Sequence, residues 1–577
     1  MSDYGKLTST HKFSFGGNTD NQIGNQDEDD LEFGIRAFQS GDFERAKASA
    51  KRVIKKDPMN AEAHSLLGGT AEQLGELEEA AGHYSDALQA DGNHFKSLYS
   101  LGVLYFNVGH PLQAVELLSR AMVSDPKFND AKWALARAYS SLGRFDEADE
   151  LYQVLVAATP DDAHLLHNYA QNQIENGNIN AALEILDRAL DQKSNSPLLQ
   201  NLKAVALQYT GDFEAAEPLL RQSLANNGPQ ANAYMALVTA HLMTEQDASD
   251  AEKLLNDQEQ PTPETVGLNL ALGQYNEQNG QSDTAAKHYQ MALNISGVDT
   301  EHNTADIEEG MEIHKSLADD AFFNNGETGH TGTLPIFISG LPRSGITLVE
   351  QIIAAHSDVW SGGEQDFLMP RIADIETLES AYPQAARDLS SDKLVEIGAE
   401  YLGSFPYDAL DAARITNRAP TNAPYQALIR KIFPNAALIN VHRHPLDIVL
   451  STIANLHVLR GTYLKDVETI AHFVDQNIKT MDHLAANIPS PALSVYYEDL
   501  VNNFDATAKA IIAHTGLEWE TDCLEFHNAE RAVKTPSPHA IRQPIFTSSI
   551  NRHKQFADLL APAAVILKDK IAKYEAR

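Results

Sequence analysis

From about Leu31 the chain repeats itself every 34 residues, and an internal repeat of that length leaves few architectures open. One column holds Gly41, Gly75, Gly109, Gly143, Gly177 and Gly211, and a second holds Ala46, Ala80, Ala114, Ala148, Ala182 and Ala216. A third column of small residues, Gly34, Gly68, Gly102, Ala136, Ala170 and Ala204, falls seven positions before each glycine, where two helices must approach closely. A fourth, Pro58, Gly92, Pro126, Pro160, Ser194 and Gly228, carries residue types that stop helices. The unit is therefore helix, tight turn at the glycine, helix, stop. A lone unit of this kind cannot bury its apolar face, so neighbours stack and leave a concave groove.

By residue type and spacing, Leu31 to Gly228 resembles the tetratricopeptide repeat. Past Gly228 the register decays: Glu245 takes the glycine column, and a shifted unit resumes with Leu272, Gly273, Gly280, Ala285, Ala286 and Tyr289. The resemblance implies a groove that receives an extended peptide or a partner protein. Tyr105, Trp133 and Tyr139 are read as packing between repeats rather than as a site. The expected order is a disordered leader over 1–30, the solenoid over 31–297, a connector over 298–332 and a second domain over 333–577.

Composition narrows the partners. The 44 Lys and Arg stand against 80 Asp and Glu, a formal charge of −36, which repels nucleic acid and anionic membrane surfaces. Cys523 is the single cysteine, so no intramolecular disulfide framework is expected. The leader lacks an apolar core and no apolar run reaches a membrane-spanning length, which reads as a soluble cytoplasmic protein with no membrane partner.

The chemistry concentrates in Leu334–Glu364, LPIFISGLPRSGITLVEQIIAAHSDVWSGGE. An apolar run, Pro335 to Ile338, meets a small, turn-prone loop, Ser339 to Gly345, and then a pattern of helical period, Leu348, Ile352 and Ala355. A loop opening directly into a helix offers free N–H groups and a positive dipole end to an anion. Against the phosphate-loop pattern G-x-x-x-x-G-K-[ST], the matches are Gly340, Gly345 and Thr347, while Ile346 stands where the lysine belongs. A nucleoside-triphosphatase or kinase-type reading fails there. The positive charge comes instead from Arg343 inside the loop, with its planar fork of donors.

Two more strands are expected over Ala436–Val441 and Leu493–Tyr496, each followed by a helical pattern, so strand and helix alternate as in a parallel α/β sheet. Ligands in such sheets collect at the carboxyl ends of strands. That rule places Arg343, Arg443 and Tyr497 on one rim. Ser451 lies eight residues beyond Arg443, and near the C-terminus Arg531, Lys534, Arg542 and Arg552 alternate with hydroxyl residues.

The loop GLPRSGITL, the later RHPLDIVLS, and the closing YEDLV and VKTPS…RQPIFTSS resemble the sulfotransferase family, in particular bacterial tetratricopeptide-repeat sulfotransferases and, more distantly, protein-tyrosine sulfotransferases. The resemblance implies an α/β, P-loop-like domain that takes 3′-phosphoadenosine-5′-phosphosulfate as co-substrate and transfers a sulfuryl group to an acceptor hydroxyl, without a metal. It assigns Arg343, Ser344, Gly345, Thr347 and Leu348 to the 5′-phosphosulfate, and Arg443 and Ser451 to the 3′-phosphate. It assigns Tyr497, Lys534, Thr535, Ser537 and Arg542 to the cover over the nucleotide.

In the tyrosylprotein enzymes a glutamate follows the loop helix in an H-P-x-V-x-x-G-E-E stretch, which corresponds here to His356, Val359, Gly362, Gly363 and Glu364. Glu364 is thereby implied as the base, because an acceptor hydroxyl is a poor nucleophile until a positioned carboxylate takes its proton. His356 is read as ordering the loop helix. Two positions depart from the family: Ile346 replaces a hydroxyl residue, and Arg418 in TNRAPTN replaces a lysine. Arg418 keeps the positive charge that would stabilise the transferring group. A different class of reading is a scaffold whose sulfotransferase domain has lost turnover through these two changes.

Overall fold

The computed structural model describes residues 26–226, 230–258, 260–296, 304–365, 367–375, 380–457, 464–529 and 531–577. Gly228, the leader up to residue 25 and the start of the expected connector lie outside the described residues. The chain divides into two compact units between Gln192 and Lys193.

The first unit is five helical hairpins, Gln26–Gln39 with Phe43–Lys56, Ala61–Gln73 with Leu77–Ala90, Phe95–Asn107 with Pro111–Ser124, Asn129–Ser141 with Phe145–Ala158, and Ala163–Glu175 with Ile179–Gln192. The first helix takes in Gln26 to Asp30, which the sequence had assigned to the leader. The repeat columns have separate physical reasons. The turn glycines from Gly41 to Gly211 all have φ between 73° and 90°, a left-handed conformation that costs a side chain and costs glycine nothing. The small column is steric: a Cβ on Gly68 would lie 2.6 Å from the Tyr84 ring, and one on Gly102 would lie 2.8 Å from Leu118 Cγ. The six alanines of the second column are fully buried.

The second unit opens with three further hairpins, Pro197–Thr210 with Phe213–Ala225, Gln230–Thr239 with Glu245–Asn256, and Pro263–Gln278 with Ser282–Ser296. The lost register has a local cause. His241, not a glycine, takes the left-handed turn at φ 58°, only 30 residues after Gly211. These hairpins do not end in a free solenoid face at the expected border. Leu268, Leu272 and Tyr289 share one core cluster with Ile448, Ile453, Ile470 and Phe556 of the C-terminal part.

That part holds five parallel strands, β1 (Pro335–Gly340), β2 (Val359–Ser361), β3 (Arg414–Arg418), β4 (Ala437–His442) and β5 (Leu493–Tyr496), in the order β2-β3-β1-β4-β5. Every β1 residue is buried. Ile336 and Ile338 face Val349, Ile352 and Ile512 on one side, while Phe337 faces Tyr401, Ile429 and Phe433 on the other, the two-residue alternation of a strand covered by helices on both faces. The sequence had marked β1, β4 and β5. It gave no apolar signal for β3, whose RITNR has one apolar residue yet is buried at four of five positions. Because β3 and β4 flank β1, the strand order switches direction at β1, the place in such sheets where ligands collect at the carboxyl ends of the strands. Among the described residues no helix is long and apolar enough to cross a membrane.

Candidate active site

Gly340 ends β1, and a Cβ there would come within 2.7 Å of the Val441 carbonyl oxygen on β4. Arg343 is held at φ 71° and Gly345 at φ 105°, so the loop is a tight left-handed turn that includes a side-chain-bearing residue. A Cβ on Gly345 would lie 2.7 Å from the Tyr497 ring, which places the start of the YED segment against the loop. The turn feeds the helix Ile346–Ala354, whose N-terminus carries no side-chain cap, leaving its leading N–H groups suited to an anion. Thr347 is half-buried at this helix start. Leu348 packs its side chain against the β1 face and donates its N–H to the Gly345 carbonyl at 3.0 Å.

Guanidinium groups converge on the loop. Arg343 Nε donates to Ser451 Oγ at 3.0 Å, and its Nη2 donates to Ser537 Oγ at 2.9 Å. Arg443 donates to the carbonyl oxygens of Arg343 at 3.0 Å and Ser549 at 2.6 Å, and lies 4.7 Å over the Tyr497 ring. Burial, and then the positive charges of Arg443 and Arg552, pull the Arg343 pKa down to about 10. Burial lowers that of Arg443 as well. Cations that depress one another in a crevice favour an anion between them. Buried polar atoms are left over to receive it: Ser339 Oγ, Ser344 Oγ and Arg443 Nε have no hydrogen-bond partner. Arg443 and Ser451, predicted as a pair, are brought together through Arg343.

A second group lies at the end of β3. Arg418 is buried and donates its Nε to Glu350, its Nη1 to Glu364 Oε2 at 3.1 Å and its Nη2 to the Lys534 carbonyl at 2.7 Å. Glu350 is almost fully buried on the loop helix, where it also accepts from Thr416 Oγ1 at 2.9 Å and from the Gly363 N–H at 3.0 Å. One carboxylate thus fixes both the arginine and the turn that carries Glu364. The segment Lys534–Ser537 joins the two groups, touching Arg418 at one end and Arg343 at the other. Within it Thr535 is buried, and its Oγ1 accepts from the Ser537 N–H at 3.3 Å.

Arg542 goes elsewhere. Its guanidinium donates to the carbonyls of Ala529, Arg531 at 2.6 Å and Tyr209 at 3.1 Å, so it anchors the C-terminal loop to the hairpin Pro197–Ala225 rather than covering the crevice. Arg542, expected over the nucleotide, is thus placed with its two terminal nitrogens on three carbonyls, while its Nε is buried without a partner. His356 is likewise engaged away from the chemistry, with Nε2 2.8 Å from the Glu518 carbonyl and Nδ1 accepting from the Asp358 N–H at 3.1 Å.

Sequence reasoning missed Glu350, although a lone acid in the apolar stretch LVEQII was a signal. It also missed Asp447. That buried carboxylate accepts from the N–H groups of Asn551 at 3.0 Å and His553 at 2.8 Å, and pairs with His553 Nδ1 at 2.8 Å, holding the loop whose Ser549 carbonyl meets Arg443. Arg552 on that loop pairs with Glu277 at 2.7 Å.

A parallel sheet whose β1 loop gathers buried arginines and hydroxyls thus follows the helical hairpins. Residues 335–521 match the sulfotransferase family, and residues 31–94, 105–167, 150–206 and 201–262 match tetratricopeptide repeats. The chain thus combines segments that match tetratricopeptide repeats with a segment that matches the sulfotransferase family. It is 25% identical over 551 residues to an uncharacterized protein of Aquifex aeolicus (strain VF5), covering 91% of this chain and 72% of that one. A putative protein-tyrosine sulfotransferase of Caenorhabditis briggsae is 27% identical over 200 residues, 33% of this chain and 69% of that protein. Protein-tyrosine sulfotransferase A of Caenorhabditis elegans is 26% identical over 209 residues, 34% and 54% of the two chains. A solved tetratricopeptide repeat protein from Parabacteroides merdae aligns with 48% of this chain and 95% of its own at 16% identity, with a TM-score of 0.34.

Proposed function

We propose that the domain transfers a sulfuryl group from 3′-phosphoadenosine-5′-phosphosulfate to an acceptor hydroxyl, and that the repeats recruit the acceptor or a partner protein. The observation that carries this reading is the convergence of the buried Arg343 and Arg443 on a loop with orphaned buried hydroxyls. The nucleotide supplies an activated sulfuryl group when bound. Ser344, Gly345, Thr347 and the leading N–H groups of the loop helix hold its 5′ side, with Arg343 offsetting charge on the oxygens. Arg443 and Ser451 flank the same arginine and hold the 3′-phosphate, with Tyr497 beside them. Lys534, Thr535 and Ser537 close over the crevice.

Glu364 accepts the acceptor's proton. Its side chain is 47% exposed, so a hydroxyl from solvent can reach it while Arg418 fixes its other flank. Arg418 supplies positive charge near the reacting group, and the work is positioning and electrostatics. The two departures from the family pattern are both accommodated by the packing. Ile346 fills the core between helix and sheet, and Arg418 has its own buried counter-charge in Glu350. The relatives named protein-tyrosine sulfotransferases make a tyrosine in a peptide the first acceptor to test.

The test is a thermal-shift titration, since a ligand that binds only the folded state raises its stability. Adenosine 3′,5′-bisphosphate is expected to stabilise the protein more than adenosine 5′-phosphate or ATP. Arg443→Ala and Ser451→Ala should each erase most of that preference. Equal binding of the three nucleotides by the parent would overturn the assignment.

A further inference from the structure

The second repeat carries a group with no part in the crevice. His64 lies on the helix Ala61–Gln73, and His83 and Asp86 lie three residues apart, on one face, of the helix Leu77–Ala90. Their nearest donor atoms all fall within 4.8 Å of one another, the one such group of histidine, cysteine and carboxylate ligands among the described residues.

The protons are placed by the surroundings. His64 Nε2 is 3.0 Å from the Pro58 carbonyl, which can only accept, so that nitrogen carries the hydrogen and Nδ1 keeps a lone pair. Nδ1 is buried without a hydrogen-bond partner and looks at Asp86 Oδ2 from 3.6 Å. His83 repeats the arrangement, with Nε2 3.5 Å from Glu79 Oε1 and a buried, unpartnered Nδ1 at 3.8 Å from the same Asp86 oxygen. Neither distance to the carboxylate is a hydrogen bond. Glu79 is also paired with Lys47 at 3.2 Å, which keeps it as an outer partner to the imidazole. Two unpartnered ring nitrogens and a carboxylate oxygen therefore lie close together, with the nearby Lys47 paired to Glu79 rather than to them.

Imidazoles backed by a carbonyl and a carboxylate are the usual supports of a zinc-type ion. Bonds of about 2.0–2.2 Å in a tetrahedron set donors about 3.4 Å apart, and side-chain adjustments of a few tenths of an ångström bring the two shorter separations to that value. We propose that His64, His83 and Asp86 bind a divalent zinc-class cation that ties the two helices of this repeat together. Asp86 is 53% exposed, so a fourth position stays open for water or a ligand from solution.

The full chain, stripped with chelator and dialysed against micromolar zinc, should retain one more equivalent of metal than either His83→Ala or Asp86→Ala. Zinc should raise the melting temperature of the parent and not of these variants. Far-UV circular dichroism of both variants checks that the hairpin is intact, and Asp86→Ala, at an exposed position, is the variant least able to disturb it. Equal zinc content in parent and folded variants, meaning an adventitious ion only, would overturn the site, as would an absence of binding to the parent.

Discussion

Two glutamates at the end of β3 have opposite surroundings and should fail in different ways. Glu364 is open to solvent on one flank, and Glu350 is sealed beneath it against Arg418. Glu364→Gln keeps the shape and loses the proton acceptor, so radiolabelled sulfate transfer should fall on the order of 10²–10⁴-fold while calorimetric affinity for the bisphosphate stays at the parent value. Glu350→Gln leaves Arg418 buried with half its counter-charge, and the cost of breaking such a pair is about 3–5 kcal/mol of stability, read as a lower urea midpoint. A Glu364→Gln protein that transfers sulfate at the parent rate would remove that residue from the chemistry. Glu350 was legible in the sequence only as an oddity, an acid among apolar neighbours, since its partner lies 68 residues away.

In the helical hairpins, one substitution should change sign with position. Gly68 and Gly82 belong to the same repeat and both sit within helices. A methyl at Gly68 would meet the Tyr84 ring at 2.6 Å, whereas one at Gly82 would meet nothing within 4 Å. Gly68→Ala should destabilise the first unit by about 1–3 kcal/mol through overpacking. Gly82→Ala should stabilise it by about 0.5–1 kcal/mol, because alanine loses less backbone freedom in a helix. Urea unfolding followed by circular dichroism checks both, and equal effects would show that the small column is not steric. The repeat was readable because its turn and close-approach constraints recur at fixed spacing. The strand β3 was not, because its burial comes from hydrogen-bonded polar side chains: Asn417 donates to Gln365 O at 3.2 Å and accepts from Asn422 at 2.9 Å.

Across the whole molecule, acid should weaken both units before carboxylates begin to protonate. Burial pushes His167 in the first unit, and His314 and His442 in the second, from 6.5 down to about 4. A histidine whose folded pKa lies below its unfolded value takes up its proton first in the unfolded chain. Its contribution is complete above about pH 6.5 and is lost as pH falls toward 4, at up to about 1.4 kcal/mol per pH unit for each group. Urea midpoints should therefore drop between pH 7.5 and pH 5, and a flat profile would contradict the burial of these rings. Asp447, held low by His553 and Arg443 against the opposing effect of burial, adds its loss only below the ordinary carboxylate range. The amino-acid sequence by itself determined the repeat, the strand–loop–helix at Pro335–Ala354 and the parallel α/β class, since each depends on backbone conformations or periodicities set by near neighbours. The tertiary structure alone decided that Arg542 anchors a loop, that Arg418 has a buried partner, and that the last three hairpins share a core with the sheet domain. Strands that follow in chain order β1 to β5 stand in space as β2-β3-β1-β4-β5, and which side chains meet across that rearrangement is a property of packing that no local pattern encodes.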